Sequence, residues 1–419
     1  MGVMGAGGVL PTTFTAPNDA GTAVTILDAP PVSVNHPFFR GLGTIRRKCV
    51  TCHVPADGWS VTPTSVQARF STSRGLDPIF RTNDGSVSPV ANVSTVQARR
   101  AAYALLLSKG LIRVGLPVPS GADFALESVD DPYDYASATE LSLFRRPLPS
   151  TNLAFLSTVM WDGRETFPGQ SMRFNLEDQA NAATVGHAAG APLTALVRKK
   201  IVDFETELFT AQTLDDAARS LNASGAGGGP QVLARQPFWL GINSAQDPTG
   251  APPTARAFTL FEAWRTARGP FSAARQAIAR GQEVFNGRTF TPRRSTCSSC
   301  HNAPNAGSNS TALLFDIGVS AAARRTPDLP LYTFRCNSGQ LAGQTRVTTD
   351  PGLGLITGRC QDIGKFKVPT LRGLAARPPY FHNGAAATLD DVVTFYDLQF
   401  AISLTAAERS DLVAFLRAL

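Results

Sequence analysis

Apolar residues recur at helical spacing in several stretches of the chain. From Phe271 onward, Phe271, Ala274, Ile278, Gly281, Val284 and Phe285 fall on one face, which predicts a helix running into a cysteine-rich turn. At the far end Leu412, Phe415, Leu416 and Leu419 share a face, and Thr405 with Glu408 forms the capping box that starts such a helix. Thr388 and Asp391 supply a second cap, ahead of Leu389, Val392, Val393 and Tyr396. The pattern also predicts helices over residues 94–109, stopped by Gly110, and over residues 192–221. Residues 112–150, rich in Pro, Asp and Ser, read as a surface loop, and so do residues 223–230 and 243–255.

Composition adds long loops to this picture, because 36 Gly and 30 Pro stand beside only 17% charged residues. A chain of 419 residues is long enough for two domains. No run of 18 apolar residues occurs, so no membrane-spanning helix is expected. The net charge of +7 fits a solvated surface or a mildly basic face for an acidic partner. The cluster Arg46-Arg47-Lys48 is too short, and too poor in interleaved aromatics, to read as a nucleic-acid site.

Cysteine and histidine usage changes the picture most. Cys49-Val50-Thr51-Cys52-His53 and Cys297-Ser298-Ser299-Cys300-His301 place four of the six cysteines and two of the five histidines in one repeated pattern. Two thiols three apart can add to both vinyl groups of a haem while the adjacent histidine ligates the iron, so the pattern predicts two covalently bound c-type haems. A structural zinc site would need four ligands in one shell, with no special place for a histidine directly after the second cysteine. Two domains are expected, one per haem. A lead occupies residues 1–34, the first haem domain residues 35–267 and the second residues 268–419, where the first and last helices should pack across each other. Thioether attachment belongs to an oxidising compartment, so export to the periplasm is expected. Residues 1–20 nonetheless lack a basic n-region, and the opening Met-Gly-Val-Met-Gly-Ala-Gly-Gly is set aside as a processed, truncated or mis-started end. The remaining Cys336 and Cys360 suit a disulfide in the same compartment, with two buried free thiols as the alternative.

Three further stretches carry a family resemblance: Trp161-Asp162-Gly163-Arg164, Leu176-Glu177-Asp178-Gln179-Ala180, and Phe366-Lys367-Val368-Pro369-Thr370-Leu371-Arg372-Gly373 running on to Pro379-Tyr380-Phe381-His382-Asn383-Gly384. In order and over residues 35–419, the chain resembles the bacterial di-haem cytochrome c peroxidases and the related methylamine-utilisation protein MauG. The resemblance implies a mostly α fold of two cytochrome c-like domains with one haem each, and reduction of hydrogen peroxide at the N-terminal haem, with electrons relayed through the C-terminal haem from a small donor protein, a cytochrome c or a cupredoxin. It makes Trp161 the bridge between the haems, against the alternative of a core tryptophan anchoring a turn, and Gln179 a distal residue of the first haem. The family's distal glutamate is missing, since Ala188 and Ala189 stand in that neighbourhood. His187, two residues earlier, could supply proton transfer, ligate the first iron, or be structural.

His53 and His301 are the expected proximal ligands. By resemblance the sixth ligand of the second haem lies fourteen positions after His382, at Tyr396; His382 is the rival ligand, and core packing of Tyr396 is the plainer alternative. A phenolate would favour ferric iron, where a methionine would favour ferrous. Arg164 and Arg372 are candidates to pair with haem propionates. A calcium ion between the domains matches only loosely, around Asn152 and the Pro379 carbonyl. The rival functions are oxygen binding and oxygenation by a rubber-oxygenase-like enzyme, MauG-like oxidation of a partner protein, and pure electron carriage. A dimer is compatible with all of them.

Overall fold

The computed structural model describes residues 8–290 and 295–419. The expectation set aside for the first eight residues lies, up to residue 7, outside the described residues. Helix accounts for 33% of the chain and strand for 16%, which corrects the expected mostly α fold. The molecule is mixed, with short helices set around several small antiparallel sheets. Strands form where local pattern had suggested loop or helix. Residues 112–150 contain the strands Ile112–Leu116, Phe124–Asp130 and Leu141–Arg145. The helical expectation over 192–221 holds only for Ala195–Thr206, after which Leu208–Asp215 is a strand.

Tertiary pairing explains the second departure. Residues in the N-terminal lead form the hairpin Thr13–Asn18 and Gly21–Leu27, and Leu208–Asp215 pairs beside it with Thr25 opposite Thr210. The Thr25 and Thr210 hydroxyls lie 2.6 Å apart in the buried sheet. Leu208 packs with Phe38, Trp59 and Phe204, while Phe209 and Ala211 pack with Phe155 and Leu233 on the other side. Apolar partners on both faces favour a strand over continuation of the helix. The hairpin also supports the first cysteine loop, since Phe14 meets the Trp59 ring edge-on at 5.2 Å and Thr25 Oγ1 accepts a 2.8 Å hydrogen bond from Trp59 Nε1.

A second sheet, Thr345–Thr348, Leu331–Cys336 and Phe124–Asp130, joins segments from the two halves of the chain. The expected Cys336–Cys360 disulfide ties the end of its central strand to the turn Cys360–Asp362.

The helices near the second cysteine turn follow the sequence pattern more closely. Ser272–Gly287 and Ala406–Arg417 form, the latter with the Thr405/Glu408 capping box, and Leu389–Phe400 starts from the Thr388/Asp391 box. The predicted helix over 94–109 forms in two pieces, Val96–Ala102 and Ala104–Lys109, with Gly110 in the left-handed region at its end. Ser272–Gly287 and Ala406–Arg417 cross at Gly281, around a core of Phe258, Phe261, Trp264, Phe285 and Phe415. A Cβ at Gly281 would lie 1.9 Å from the Asp411 carbonyl oxygen, so only glycine permits this approach. Among the described residues no helix is long and apolar enough to cross a membrane. Gly281→Ala is therefore expected to lower stability by about 1–3 kcal/mol through overpacking, read as a lower denaturant midpoint; an unchanged midpoint would show that the crossing has room to give.

Candidate active site

The first cysteine pair opens a short 3-10 turn, Cys49–Thr51, held by the Lys48 N–H donating to Thr51 Oγ1 at 2.9 Å. Cys49 and Cys52 are free thiols, and with His53 they line a cavity of about 1470 Å³ including its mouth. His53 Nδ1 lies 3.1 Å from the Trp59 carbonyl, which can only accept; the proton therefore sits on Nδ1 and leaves the Nε2 lone pair available to a metal. Burial pushes the imidazole pKa down to about 4, favouring the neutral, ligating form.

The second pair repeats this construction. Cys297–Cys300 is one helical turn, and the free thiols Cys297 and Cys300 line a second cavity of about 2260 Å³ with His301. His301 Nδ1 donates to the Gly307 carbonyl at 2.5 Å, and burial again lowers the pKa to about 4. Phe285, Val319, Phe366, Leu389, Val393 and Leu412 are among its apolar walls. Paired free thiols, an anchored neutral imidazole and apolar walls make both cavities chemically suited to a covalent c-type haem.

Five residues line both cavities: Arg146, Pro147, Pro149, Trp161 and Lys367. Main chain from both flanks fixes Trp161 in this shared wall. Its Nε1 donates to the Arg146 carbonyl at 2.8 Å, and the Lys367 N–H donates to the Trp161 carbonyl at 2.9 Å. Behind it lies a buried ion network. Arg145 meets both Asp350 oxygens at 2.7 and 2.9 Å and Asp162 at 2.5 Å. Arg164 lines the first cavity with its guanidinium already 3.1 Å from both Asp162 oxygens. Arg372 lies outside the linings, over the Phe258 ring and bonded through Nε to the Asn305 carbonyl, with Nη1 and Nη2 buried and without a hydrogen-bond partner among the described residues.

The helix Met172–Ala188 presents one face to the first cavity, where Leu176, Gln179, Ala180, Ala183, Thr184 and His187 follow its three- and four-residue spacing. His187 sits at the rim with its side chain 35% exposed, so it faces both cavity and solvent. Its Nδ1 lies 2.6 Å from Asp84 Oδ2, and Arg47 holds the other Asp84 oxygen at 2.5 Å. Burial pushes the Asp84 carboxyl up, but the His187 hydrogen bond and the Arg47 charge outweigh it and hold the group below its ordinary value. The carboxylate thus orients the imidazole and leaves Nε2 as an acceptor. Sequence reading missed Asp84, which is 103 residues from His187 and carries no local signal. Arg47 was seen only as part of a short basic cluster.

Tyr396 and His382 both line the second cavity, in different settings. The Tyr396 ring stacks on Phe400, and its phenol is kept protonated by burial and by the nearby Cys300 and Cys297 sulfurs. His382 is 3% exposed, stacked on Phe366 at 3.9 Å and edge-on to Trp161 at 6.2 Å. Its Nε2 has no hydrogen-bond partner among the described residues and lies 4.0 Å from Asp350. The Asn152 amide exchanges both its hydrogen bonds with the Thr210 main chain, and no cluster of three or more His, Cys, Asp or Glu occurs among the described residues.

Glu205, also missed in the sequence, lines the first cavity with Ser150 Oγ at 2.5 Å as its hydrogen-bond donor. Burial pushes its carboxyl up to about 7, an effect the Ser150 bond only partly offsets. The unfolded chain ionises this group near 4.5, so its ionisation erodes stability as pH rises from there through about 7. The full cost is on the order of 3 kcal/mol. Glu205→Gln keeps an acceptor for Ser150 and is expected to raise the denaturation midpoint at pH 8 while leaving it unchanged at pH 4. An equal effect at both pH values would show that Glu205 is not held protonated.

No family model matches the chain. Among curated proteins it is 34% identical over 172 residues to the cytochrome-c peroxidase IdrP1 of a Pseudomonas species, a match covering 37% of this chain and 43% of that protein. It is 31% identical over 160 residues to the cytochrome c551 peroxidase of Nitrosomonas europaea, covering 38% of each. The match to the methylamine utilization protein MauG of Methylophilus methylotrophus is longer, 26% identical over 377 residues, or 85% of this chain and 92% of that one. The match therefore spans less than half the length of those curated peroxidases. Among solved structures, a MauG-like protein associated with microbial copper homeostasis aligns over 68% of this chain and 76% of its own, with 16% identity and a TM-score of 0.36, too low to add weight. In its two cysteine-histidine cavities and in these relatives, the chain is similar to the cytochrome c peroxidases and to MauG.

Proposed function

We propose that this protein is a periplasmic di-haem oxidoreductase that reduces hydrogen peroxide to water in the first cavity, with electrons delivered through the second from a small redox protein. The observation that carries the reading is the single tryptophan wall between two cavities built alike. Each peroxide consumes two electrons and two protons to give two waters. The haems would supply the redox chemistry, bound through Cys49, Cys52 and His53 in one cavity and Cys297, Cys300 and His301 in the other.

The chain's own residues supply the rest. His187 takes a proton at Nε2 from the peroxide oxygen nearest the cavity floor and returns it to the departing oxygen, replacing the absent family glutamate. Asp84 stabilises the imidazolium formed between those steps, and Arg47 keeps Asp84 ionised. Gln179, one turn-pair earlier on the same helix face, orients the peroxide. Trp161 closes the gap between the two redox centres.

A second reading, oxidation of a partner protein, is favoured by Tyr396. It lines the cavity with Cys297, Cys300 and His301, where a bound iron would have to displace the phenol proton, and the MauG relative is matched over most of its length. His382, packed between Phe366 and Trp161, suits a wall residue better than a ligand.

The test is steady-state peroxide turnover with a reduced cytochrome c or a dye as donor. His187→Ala is expected to lower kcat by about 100-fold or more, the range of a positioned acid-base group, and Asp84→Asn to lower it less. Wild-type kcat in His187→Ala would remove His187 from the proton path. Oxygen uptake without peroxide consumption would replace the reading with oxygenation.

A further inference from the structure

Buried cations in this protein fall into two groups. Arg47 has Asp84, Arg113 has Glu140, and Arg145 with the half-buried Arg164 shares Asp162 and Asp350. Arg146, Arg372 and Lys367 meet only carbonyl oxygens among the described residues, and of these three Lys367 is the one amine. It is 7% exposed, and its only hydrogen-bond acceptor among the described residues is the Thr158 carbonyl, 2.5 Å from Nζ. Burial pushes its ammonium pKa down to about 7, with no charged group opposing the shift. An ammonium carries three donors, so two remain unused.

The position is as informative as the chemistry. Lys367 lines both cavities, and its N–H holds the Trp161 carbonyl. It sits on the short strand Phe366–Lys367, paired with Leu314–Phe315, which fixes it against the wall. An isolated buried charge is costly unless it meets a counter-ion. The described residues provide none here, whereas a haem brings two carboxylates. Arg377, which lines the second cavity and bonds only to the Thr370 and Arg372 carbonyls, extends the same unmatched positive charge.

We propose that Lys367 is a cofactor-binding residue, its ammonium receiving haem carboxylate in the wall between the cavities and its charge acting on both haems at once. The proposal rests on the di-haem reading. It assigns to Lys367 the pairing that sequence reading gave to Arg164, whose guanidinium is taken by Asp162. A cation near a haem stabilises the reduced form, so one placed between two haems should hold both potentials up.

The experiment uses holoprotein of the wild type and of Lys367→Met, Lys367→Gln and Lys367→Arg. Intact mass counts the haems and spectroelectrochemical titration reads both midpoint potentials. Gln retains a donor for the Thr158 carbonyl and guards against a Met variant that fails to fold. The expected result is two haems in every variant, with both potentials shifted lower in the Met and Gln variants and close to wild type in the Arg variant. Potentials that do not move, or only one that moves, in protein carrying two haems would overturn the role of Lys367 and leave the di-haem reading intact. Conversion of a low-spin ferric spectrum to high-spin in the Met and Gln variants would overturn it too, since Lys367 would then be an iron ligand. Fewer than two haems on the wild type would overturn the di-haem reading itself.

Discussion

The position of Trp161 is the constraint on which the rest of the site depends. Its indole is held by the carbonyl of Arg146 and its own carbonyl by the N–H of Lys367, so main chain from two distant segments fixes one ring in the wall between two cavities. Backbone partners leave little freedom, because shifting the ring would strand a buried donor or acceptor at a cost of about 1–3 kcal/mol each. The same segments are tied to their surroundings: the Arg146 N–H donates to the His382 carbonyl at 2.6 Å, and His382 stacks on Phe366, the residue before Lys367.

Behind the wall, Arg145, Asp162, Asp350 and Arg164 form a buried network with balanced charge. Such networks contribute little net stability relative to apolar packing, yet losing one member leaves an uncompensated charge and costs about 3–5 kcal/mol. Its value here is positional. Asp162 follows Trp161 directly, so the ion pairs fix the turn that presents the indole, and Gly163 supplies the left-handed backbone (φ +75°) that the turn requires. The proximal sides are built with the same economy: each cysteine turn hands its histidine to a loop carbonyl, and Trp59, which supplies one of these carbonyls, is braced by the N-terminal hairpin.

Features encoded within a few residues were legible in the sequence. The two Cys-x-x-Cys-His turns, both capping boxes and the crossing pair of terminal helices could be read from local spacing, and the structure forms them. What depends on long-range pairing was not. The strands in residues 112–150 lie among Pro and Asp, and Leu208–Asp215 follows a helix without a break signal; Phe124–Asp130 and Leu208–Asp215 pair with strands about 200 residues away, and Ile112–Leu116 pairs with Leu141–Arg145 across a long connection. The active site divides in the same way. His187 stood out as one of five histidines, whereas Asp84 is an unremarkable aspartate until the fold brings it to the imidazole. Lys367 lay within a recognised motif, but its lack of a counter-charge is visible only in three dimensions.

The central claim is that the two cavities form one electron-sharing unit across Trp161. Rapid mixing of fully reduced holoprotein with one equivalent of hydrogen peroxide, following the absorption of each haem separately, tests it most directly in wild type and Trp161→Phe. The account predicts that both haems of the wild type oxidise together, and that the substitution delays the second haem while leaving the first unchanged. Identical kinetics at the second haem in the two proteins would contradict it.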